Sequence, residues 1–463
     1  MVVKEQQKLV IGATSLAFLL LLPWIYAAFF HVNPLESWKV KLTNWRGNDQ
    51  ISSTKTNSSM EEVNDPLEFQ LRRLVRGEDR IKLDNTGFSC HSDLHSDLCV
   101  VNKPVKVDKN GSTVYIISSS NQSQVERLIK PYALQDDQTA MKWVSPVRIL
   151  NDDSNSSMAP CRFTHDVPAV VFSSGGFTGN QFHEIDEIII PLFITTRHFR
   201  SRLKFVITDF KPWWVSKYRK ILKHLSHYEV INPAVNGSVH CFPGAVVGLK
   251  YHDYLAFNMT DIPGGYSMFD FRNFLKQSYN LKIKNVKFNK REKKPVLILL
   301  SRQNSRRFLN ENEMVDSMEE LGFEVVVIRP SRMLNLDKFA EVVNRCSVMV
   351  GAHGAGLTNE MFLPDGAVVV QVVPLALDWC ANNYFGAPAS EMGLHYLEYK
   401  IEPKESSLWE TYGENNSIIT DPGSVISKGY YAFRDVYLDE QNVKINVGRF
   451  RATLVRAMKL IDR

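Results

Sequence analysis

SVMVGAHGAGLTNEMFLPDGAVVVQVVP, residues 347–374, is the stretch of this sequence that decides the fold. It contains an unbroken apolar run, a glycine-rich turn that includes a histidine, a short helical pattern and a second apolar run. Unbroken Val and Ile runs are typical of parallel strands that are buried on both faces beneath helices. A glycine-rich turn between such a strand and a helix is suited to an anionic ligand, because main-chain N–H groups and the start of the helix face the turn.

The same alternation of strands and helices extends through most of the chain. In the C-terminal half we predict strands at 294–302, 323–330, 347–351 and 367–374, and helices at 310–322, 335–345, 357–364 and 446–461. In the N-terminal half we predict strands at 112–118, 169–174, 203–209, 228–232 and 245–249, and helices at 180–190 and 213–226. This order predicts an α/β protein in which two Rossmann-type, doubly wound domains, 86–288 and 289–463, face one cleft.

The composition excludes several classes of protein. Of the 463 residues, 44% are hydrophobic and 23% are charged, which is close to the globular average and excludes disorder, collagen and a multi-span membrane protein for the chain as a whole. The net charge of +5 comes from scattered basic residues, so it does not favour a nucleic-acid partner.

An uncharged segment of 22 residues lies near the N-terminus, at 9–30. As a helix it would be about 33 Å long, enough to cross a hydrocarbon core of about 30 Å, and it exceeds the usual apolar region of a cleaved signal peptide. We therefore predict a cytosolic tail at 1–8, a retained transmembrane anchor at 9–30 and a solvated stem at 31–85. Seven N-glycosylation sequons follow the anchor, which favours a single-pass type II protein with its body in the secretory lumen. They are Asn57, Asn110, Asn121, Asn155, Asn236, Asn258 and Asn415.

Six cysteines allow two or three disulfides in such a compartment. Cys90 and Cys99 lie in a polar stretch and would close a short loop, and Cys161 and Cys241 are a plausible second pair. Cys346 lies in an apolar run and is expected to be a buried thiol. Spacing alone does not determine the connectivity.

Two strand ends carry residues suited to binding an anion. In the turn, His353 can donate a hydrogen bond or a charge to a phosphate, and Gly351, Gly354 and Gly356 allow close approach of the main chain. At the other strand end, LSRQNSRRF supplies Ser301 and three arginines, Arg302, Arg306 and Arg307. The forked guanidinium groups of the arginines suit a diphosphate. Whether Arg306 or Arg307 points inward stays open, and the bland alternative is a solvated basic loop.

A third candidate site lies in FSSGGFTGNQFHEIDEIII, residues 172–190. In a helix from about residue 180, His183 and Glu187 are i,i+4 neighbours, and a carboxylate with a histidine beside it could serve as a general base. Glu184 falls on the same side, whereas Asp186 lies nearer the apolar side. Pro191 should kink or end the helix. The alternative is an amphipathic helix whose polar face only meets water.

Motifs that are absent from the sequence are also informative. The chain has no Asp-x-Asp pair, which often anchors a metal-bound diphosphate, and neither a Walker A motif nor a GxGxxG fingerprint. We therefore predict that a diphosphate is held by arginines, a helix start and a histidine, without a metal ion.

In combination, GAHGAGLTNEMFLP followed by AVVVQVVP, GNQFHEIDEIIIPLF, and the cysteine pair of CHSDLHSDLC resemble glycosyltransferase family 61 over about residues 85–463. The resemblance implies a GT-B-like fold, an inverting mechanism, a nucleotide-sugar donor and a type II Golgi membrane protein. It is closest to plant members that add arabinofuranose or xylose to the xylan backbone. The family pattern implies roles for Asn180, His183, Glu187, Arg302, His353, Gly354, Gly356 and Asn359.

On this basis we expect an inverting glycosyltransferase that moves a pentose from UDP to xylan during cell-wall synthesis. Glu187 would be the base, oriented by His183, with Glu184 and Asp186 as alternatives. Residues 86–288 would bind the acceptor. Residues 289–463, which end in a closing helix, would bind the UDP-sugar. His353 would be a third catalytic residue, which stabilises the leaving group together with Arg302. The donor-binding residues would be Ser301, Arg302, Arg306, Gly351, Gly354, Gly356 and Asn359.

Two alternative functions stay open at this point. One is a β-1,2-xylosyltransferase that acts on N-glycan cores, and the other is a non-catalytic luminal sugar-binding protein. Trp213, Trp214 and Trp379 could stack on sugar rings, although burial is the common fate of such side chains. The identity of the pentose, the acceptor position, the oligomeric state and any complexes with other Golgi enzymes are not determined by the sequence.

Overall fold

The computed structural model describes residues 65–117, 125–152, 159–252, 254–257, 259–286, 294–333 and 335–461. The predicted anchor at 9–30, most of the predicted stem, and the sequons at Asn57, Asn121, Asn155 and Asn258 lie outside these residues. Within the described ranges, none of the helices combines the length and the apolar character that a membrane span requires. The sequons at Asn110 and Asn415 are exposed, and their occupancy stays a prediction.

The described residues form sixteen strands and helices of varied length. The strands are β1 (Phe88–Ser92), β2 (Asp97–Val101), β3 (Val105–Val107), β4 (Thr113–Ile117), β5 (Glu126–Ile129), β6 (Val147–Asp152), β7 (Phe163–Thr164), β8 (Ala169–Ser173), β9 (Lys204–Thr208), β10 (His240–Phe242), β11 (Ala245–Val247), β12 (Val296–Leu300), β13 (Glu324–Ile328), β14 (Val348–Ala352), β15 (Val368–Val373) and β16 (His395–Lys400). The α-helices of six or more residues are α1 (Leu67–Arg72), α2 (Gly77–Thr86), α3 (Ile190–Thr196), α4 (Pro212–Lys217), α5 (Arg219–Leu225), α6 (Met268–Ser278), α7 (Glu311–Glu320), α8 (Leu336–Asn344), α9 (Ser407–Tyr412) and α10 (Val447–Ile461). Other helical segments, which are short or of the 3-10 or π type, include Gln138–Met141, Gln181–Glu184, Ile185–Ile189, Ala355–Phe362, Asp378–Ala381, Asn382–Gly386, Ala387–Glu391 and Arg434–Glu440.

The C-terminal half is built on a five-stranded sheet whose strands are all parallel, in the order β13-β12-β14-β15-β16. β12, β14 and β15 are buried at every position, as their continuous apolar runs predict. The chain changes direction across the sheet between β12 and β14, because β13 lies on one side of β12 and the later strands lie on the other. Ligands of doubly wound sheets bind at such a switch point, beyond the carboxyl ends of the strands.

The N-terminal half differs from the single doubly wound sheet that we predicted. It contains two mixed sheets, in the orders β1-β2-β11-β8-β9 and β5-β6-β4-β3-β10-β7. Only β11, β8 and β9 form a parallel set in the first sheet. Short connections join β1 to β2 and β3 to β4, and short connections permit only antiparallel pairing. The two sheets share a buried cluster of aliphatic side chains that includes Val101, Val114, Ile149, Val171 and Val247.

Other predicted elements have mixed outcomes. The strand predicted at 228–232 is wrong, since only Ile231 makes an isolated bridge, to Val206. The helix predicted at 357–364 is a 3-10 helix at Ala355–Phe362, whereas the closing helix is confirmed as α10. α6 is not among the predicted helices, although it begins with a capping box between Ser267 and Asp270.

Both predicted disulfides are present. Cys90 and Cys99 face each other across the β1/β2 pair, and Cys161 is joined to Cys241 in β10. Cys346 is a buried free thiol as predicted, and burial raises its pKa to about 12, so it stays protonated.

A buried arginine fixes α6 to the C-terminal half. Arg272 is fully buried and forms an ion pair with Asp365 at 2.8 Å. Its guanidinium also donates to the main-chain carbonyl groups of Met361, Leu363 and Met392. The helix that precedes the predicted boundary at 288/289 is therefore hydrogen-bonded to the half that follows it.

Candidate active site

The two arginine- and glycine-rich strand ends meet at the switch point of the parallel sheet. Leu300, the last residue of β12, pairs with Gly351 of β14, so the following residues leave the sheet at the same level. A Cβ atom placed on Gly354 would lie 2.4 Å from Nη1 of Arg302, and Arg306 Nη1 donates to the carbonyl of His353 at 3.0 Å. Gly354 also has φ +149°, a conformation that favours glycine. Arg302 and Arg306 therefore lie directly against the glycine-rich turn at His353 and Gly354.

Arg302 and Arg306 are two half-buried cations without an ion-pair partner in the described part of the chain, and Asp439 acts on both only from beyond ion-pair distance. Neither makes an ion pair within 4 Å there, although Arg302 Nε donates to Ser305 O at 2.7 Å. Arg306 Nε is buried without a hydrogen-bond partner among the described residues. Burial, followed by repulsion from Arg302, lowers the pKa of Arg306 to about 9, and burial also lowers the pKa of Arg302. Arg307 is exposed instead, so Arg306 is the inward residue of the pair.

His353 is held as a neutral hydrogen-bond donor. Its Nδ1 accepts from Gln371 Nε2 at 2.8 Å, and Gln371 Oε1 accepts in turn from the hydroxyl of Tyr396 at 2.7 Å. This network assigns the ring proton to Nε2. Burial first, and then the charges of Arg306 and Arg302, lower the pKa of His353 to about 3. At neutral pH the imidazole can therefore donate a hydrogen bond to an anion but carries no charge.

The other predicted donor-binding residues support the turn from behind. Ser301 is buried, and its hydroxyl accepts from Arg329 at 3.3 Å. Asn359 is fully buried, with its Nδ2 on Gly356 O at 2.9 Å and its Oδ1 accepting from Gln181 Nε2 at 2.7 Å. The bond to Gln181 joins the glycine-rich turn to the start of the acidic helix. Gly351 packs inside the sheet, where a Cβ would lie 3.1 Å from Leu357.

The acidic helix continues through Pro191, so it does not end there, and its regular hydrogen-bond pattern is interrupted just before the proline. It begins at Gln181, where the side chain of Asn180 accepts from the main chain of Phe182, widens into a π-helical turn at Ile185–Ile189 and continues as α3. The wider turn absorbs the missing N–H of Pro191, and such turns are frequent at functional sites. As a result, Asp186 and Glu187 both point into the protein.

The first two acids of this helix have structural partners. Glu184 is fully buried and accepts from Lys217 Nζ at 2.5 Å and from the Tyr218 hydroxyl at 2.6 Å. Asp186 accepts from the main chain of Leu255 at 2.7 Å, and burial raises its pKa to about 6. Neither carboxylate is placed to take a proton from a substrate.

Glu187 and His183 form a pair in which the histidine is the outer member. One oxygen of Glu187 accepts from the hydroxyl of Tyr132, and the other is bonded to His183 Nδ1. The carboxylate is 1% exposed, whereas the His183 side chain is 28% exposed. Burial lowers the pKa of His183, but the hydrogen bond and charge of Glu187 outweigh it, so the pKa is raised. The geometry thus favours His183 as the proton acceptor with Glu187 behind it, the reverse of the order expected from the sequence.

An aromatic cluster connects the two histidines. Phe182 contacts Tyr384 with ring centroids 5.1 Å apart, and His353 lies 6.1 Å from Tyr384 and 5.5 Å from Phe385. His183 is next to Phe182 in the helix. His183 and the turn that carries His353 therefore border one apolar wall. Within the described residues, no three His, Cys, Asp or Glu side chains come together as a metal site.

Sequence analysis missed several residues that complete this arrangement. Gln371 had an available signal, because it is the one polar residue in the apolar strand AVVVQVV. Tyr132 had none, since it lies far from the helix in sequence. Gly176 is close to Tyr132, and a Cβ there would lie 2.2 Å from its ring.

Comparison with known proteins identifies the family of this chain. The sequence profile of the family described as glycosyltransferase 61 matches residues 162–370, which include both candidate motifs. The chain is 34% identical to xylan glycosyltransferase MUCI21 of Arabidopsis thaliana, over 82% of this chain and 79% of that protein. It is 38% identical to α-1,3-arabinosyltransferase XAT3 of Oryza sativa subsp. japonica, over 79% of this chain and 64% of that protein. It is 33% identical to β-1,2-xylosyltransferase XYXT1 of the same plant, over 80% of this chain and 83% of that protein. The chain therefore belongs to glycosyltransferase family 61.

Proposed function

We propose that this enzyme transfers a pentose, arabinofuranose or xylose, from a UDP-sugar to the xylan backbone, with inversion at the anomeric carbon. The observation that carries the proposal is the pair of half-buried guanidinium groups of Arg302 and Arg306, which lie beside the glycine-rich turn without an ion-pair partner within 4 Å among the described residues. The names of the similar plant proteins support a pentose donor and a xylan acceptor.

The donor diphosphate would occupy the hollow between Arg302, Arg306 and the main chain at Gly354. A diphosphate supplies the negative charge that the two arginines lack, and forked donors bind its oxygens well. His353 would donate its Nε2 proton in a hydrogen bond to the leaving diphosphate, where charge develops in the transition state. With two guanidinium groups in place, we propose that no metal ion is needed.

The acceptor hydroxyl would be deprotonated by Nε2 of His183. The acceptor oxygen forms a bond to the anomeric carbon, the bond from that carbon to the β-phosphate oxygen breaks, and UDP leaves. The hydroxyl proton passes to His183, and Glu187 stabilises the resulting imidazolium. Tyr132 holds Glu187 in position from the other side.

We also propose the topology that the sequence suggests. The anchor at 9–30, the stem and the two halves at 86–288 and 289–463 would place a GT-B-like body in the Golgi lumen. The seven sequons, which all follow the anchor, would be reached by glycosylation only in that orientation. Protease protection of the body in sealed microsomes, together with an endoglycosidase-induced mass shift, would test this topology.

The central experiment is a donor and acceptor matrix on full-length protein in microsomes. UDP-xylose and UDP-arabinofuranose would each be offered with xylo-oligosaccharides or with N-glycan peptides, with and without EDTA. We expect pentose transfer to xylo-oligosaccharides, unaffected by EDTA, and its loss in Arg302→Ala and His353→Ala. Arg307→Ala, an exposed neighbour, is the matched control and should keep wild-type activity.

The outcomes of this matrix separate the alternatives. Transfer only to N-glycan peptides would replace xylan by the N-glycan core as acceptor. UDP binding without transfer to any acceptor would favour a non-catalytic sugar-binding protein. Full activity in both site variants would refute the donor site itself.

A further inference from the structure

A second hollow, of about 540 Å³, lies at the carboxyl ends of β8 and β9 in the N-terminal half. Its volume is within the range of small-molecule sites. It is separate from the proposed diphosphate site at Arg302 and Arg306, and it includes none of the residues that we assign to donor binding. It is lined by Trp143, Gly176, Phe177, Thr178, Asp209 and Lys211.

This hollow shares a wall with the proposed base. The ring of Phe177 lies against His183, with ring centroids 4.7 Å apart. The main-chain N–H of Phe177 also points at the hydroxyl of Tyr132, at 3.4 Å, and Tyr132 is bonded to Glu187. A molecule in the hollow would therefore lie next to the group that accepts the proton.

The side chains of the hollow suit a neutral sugar. Trp143 is 69% exposed, which is unusual for so large an apolar ring and leaves it free to stack on the flat face of a pyranose. Asp209 is fixed by Ser145 and Ser173, and its φ of +50° shows a main chain held in an uncommon conformation. Oδ2 of Asp209 accepts from the main chain of Ser145 and from the Ser173 hydroxyl, whereas Oδ1 accepts, among the described residues, only from the Ser145 hydroxyl and keeps lone-pair capacity for a hydroxyl donor.

The charges of the hollow exclude a second nucleotide. Asp209 contributes one negative charge and Lys211 contributes one positive charge, so the hollow is neutral overall, unlike the two-arginine site. Lys211 donates to the hydroxyl of Thr178, and burial lowers its pKa. An ammonium and a carboxylate around an exposed indole ring form a pattern suited to hydroxyl groups and a C–H face.

We infer that this hollow is the acceptor subsite, in which a xylose unit of the chain being modified stacks on Trp143 while its hydroxyl groups bind Asp209 and Lys211. The inference rests on the proposed function and extends it, because it names the surface that reads the polysaccharide. None of the tryptophans singled out from the sequence takes this part. Trp214 is fully buried, and Trp213 and Trp379 are exposed outside the hollow.

The test is the acceptor dependence of Trp143→Ala. Stacking of one sugar on one indole ring corresponds to about a tenfold effect on affinity, so we expect the KM for xylohexaose to rise about tenfold. The Kd for UDP and the hydrolysis of donor in the absence of acceptor should stay unchanged. Trp143→Phe should restore most of the affinity, which loss of a merely structural contact would not predict. Trp213→Ala, another exposed tryptophan, is the matched control.

Binding measurements keep this inference distinguishable from the proposed function. Xylohexaose binding would be measured by calorimetry on the wild type, Trp143→Ala and Trp213→Ala. If the wild type binds xylohexaose but transfers no pentose, and only the Trp143→Ala variant loses xylohexaose binding, the subsite stands and the proposed reaction fails. If the wild type is active and Trp143→Ala keeps its acceptor KM and its xylohexaose affinity, the subsite is wrong and the reaction stands. An equal loss in both tryptophan variants would also overturn the assignment.

Discussion

Replacing Arg306 by methionine should stabilise the free enzyme and abolish the further stabilisation that UDP gives. The guanidinium of Arg306 is buried next to Arg302 and donates one hydrogen bond, to His353 O. Methionine keeps much of the apolar stem and fills irregular space well. The substitution therefore removes the charge with little loss of packing.

The magnitude follows from the pKa of this arginine, which falls to about 9 from its ordinary value of 12.5. At neutral pH a pKa difference of this size means that the charged side chain lowers the free energy of unfolding by at most about 5 kcal/mol. Contact with water and the lost hydrogen bond, about 1 kcal/mol, reduce the expected gain in unfolding free energy to about 1–3 kcal/mol. In the wild type, UDP at a hundred times its Kd should add about 2.7 kcal/mol, and in the variant it should add almost nothing.

The assay is thermal unfolding with and without UDP, followed by fluorescence. We expect the melting temperature of Arg306→Met without ligand to exceed that of the wild type by about 2–5 °C, and the UDP-dependent rise to disappear. Arg307→Met is the control, because that side chain is exposed, and it should match the wild type in both respects. A variant that is less stable than the wild type, or that keeps its response to UDP, would refute the reasoning.

Three further predictions test the rest of the site. Glu187→Gln removes the carboxylate that raises the pKa of His183. A base must be unprotonated, so kcat/KM of the wild type should fall as the pH drops through the raised pKa of His183, which lies above 6.5. In the variant this acid limb of the kcat/KM profile should move to lower pH. An unmoved limb would exclude His183 as the base. In Gly354→Ala the new Cβ would lie 2.4 Å from Arg302 Nη1, at a φ that favours glycine, so UDP binding measured by calorimetry should weaken at least about tenfold. Gly356→Ala is the control, because its Cβ would lie 3.7 Å from Leu300, and its UDP affinity should stay within about twofold of the wild type. Equal losses of affinity in the two variants would contradict this. Glu360 is buried, and its carboxyl oxygens have no hydrogen-bond partner among the described residues, so burial raises its pKa well above 4.5. The folded state therefore keeps a proton that the unfolded chain releases, and the free energy of unfolding falls as the pH rises above 4.5. Glu360→Gln should therefore gain more unfolding free energy at pH 7.5 than at pH 5 in urea titrations, and an equal gain at both values would argue against a buried proton.

The parallel sheet could be predicted from the sequence because burial on both faces leaves a direct signal. β12, β14 and β15 are continuous apolar runs, and the residues that follow β12 and β14 meet because parallel strands end at one edge of a sheet. The N-terminal half gives a weaker signal. Strands as short as Val105–Val107 have no measurable periodicity, and antiparallel partners are chosen by turns that the apolar pattern does not reveal.

The roles of the three acids could not be derived from helical spacing. The i,i+4 relation of His183 and Glu187 was correct, but the π-helical turn at Ile185–Ile189 alters the direction of the side chains that it contains. Which carboxylate is buried also depends on distant partners, such as Tyr132 and Lys217, that only the tertiary fold brings close. Local pattern thus located the candidate side chains, and long-range contacts decided which of them is buried and which is exposed.

The anchoring of Arg272 decides where this polypeptide can be divided. A fragment that begins at residue 289 lacks the guanidinium that satisfies three interior carbonyl groups, those of Met361, Leu363 and Met392. Each acceptor left bare costs about 1–3 kcal/mol, and together they approach the whole stability of a typical domain. A C-terminal half made on its own, or exchanged between relatives to swap donor preference, must therefore start upstream of Met268 and carry α6 with it.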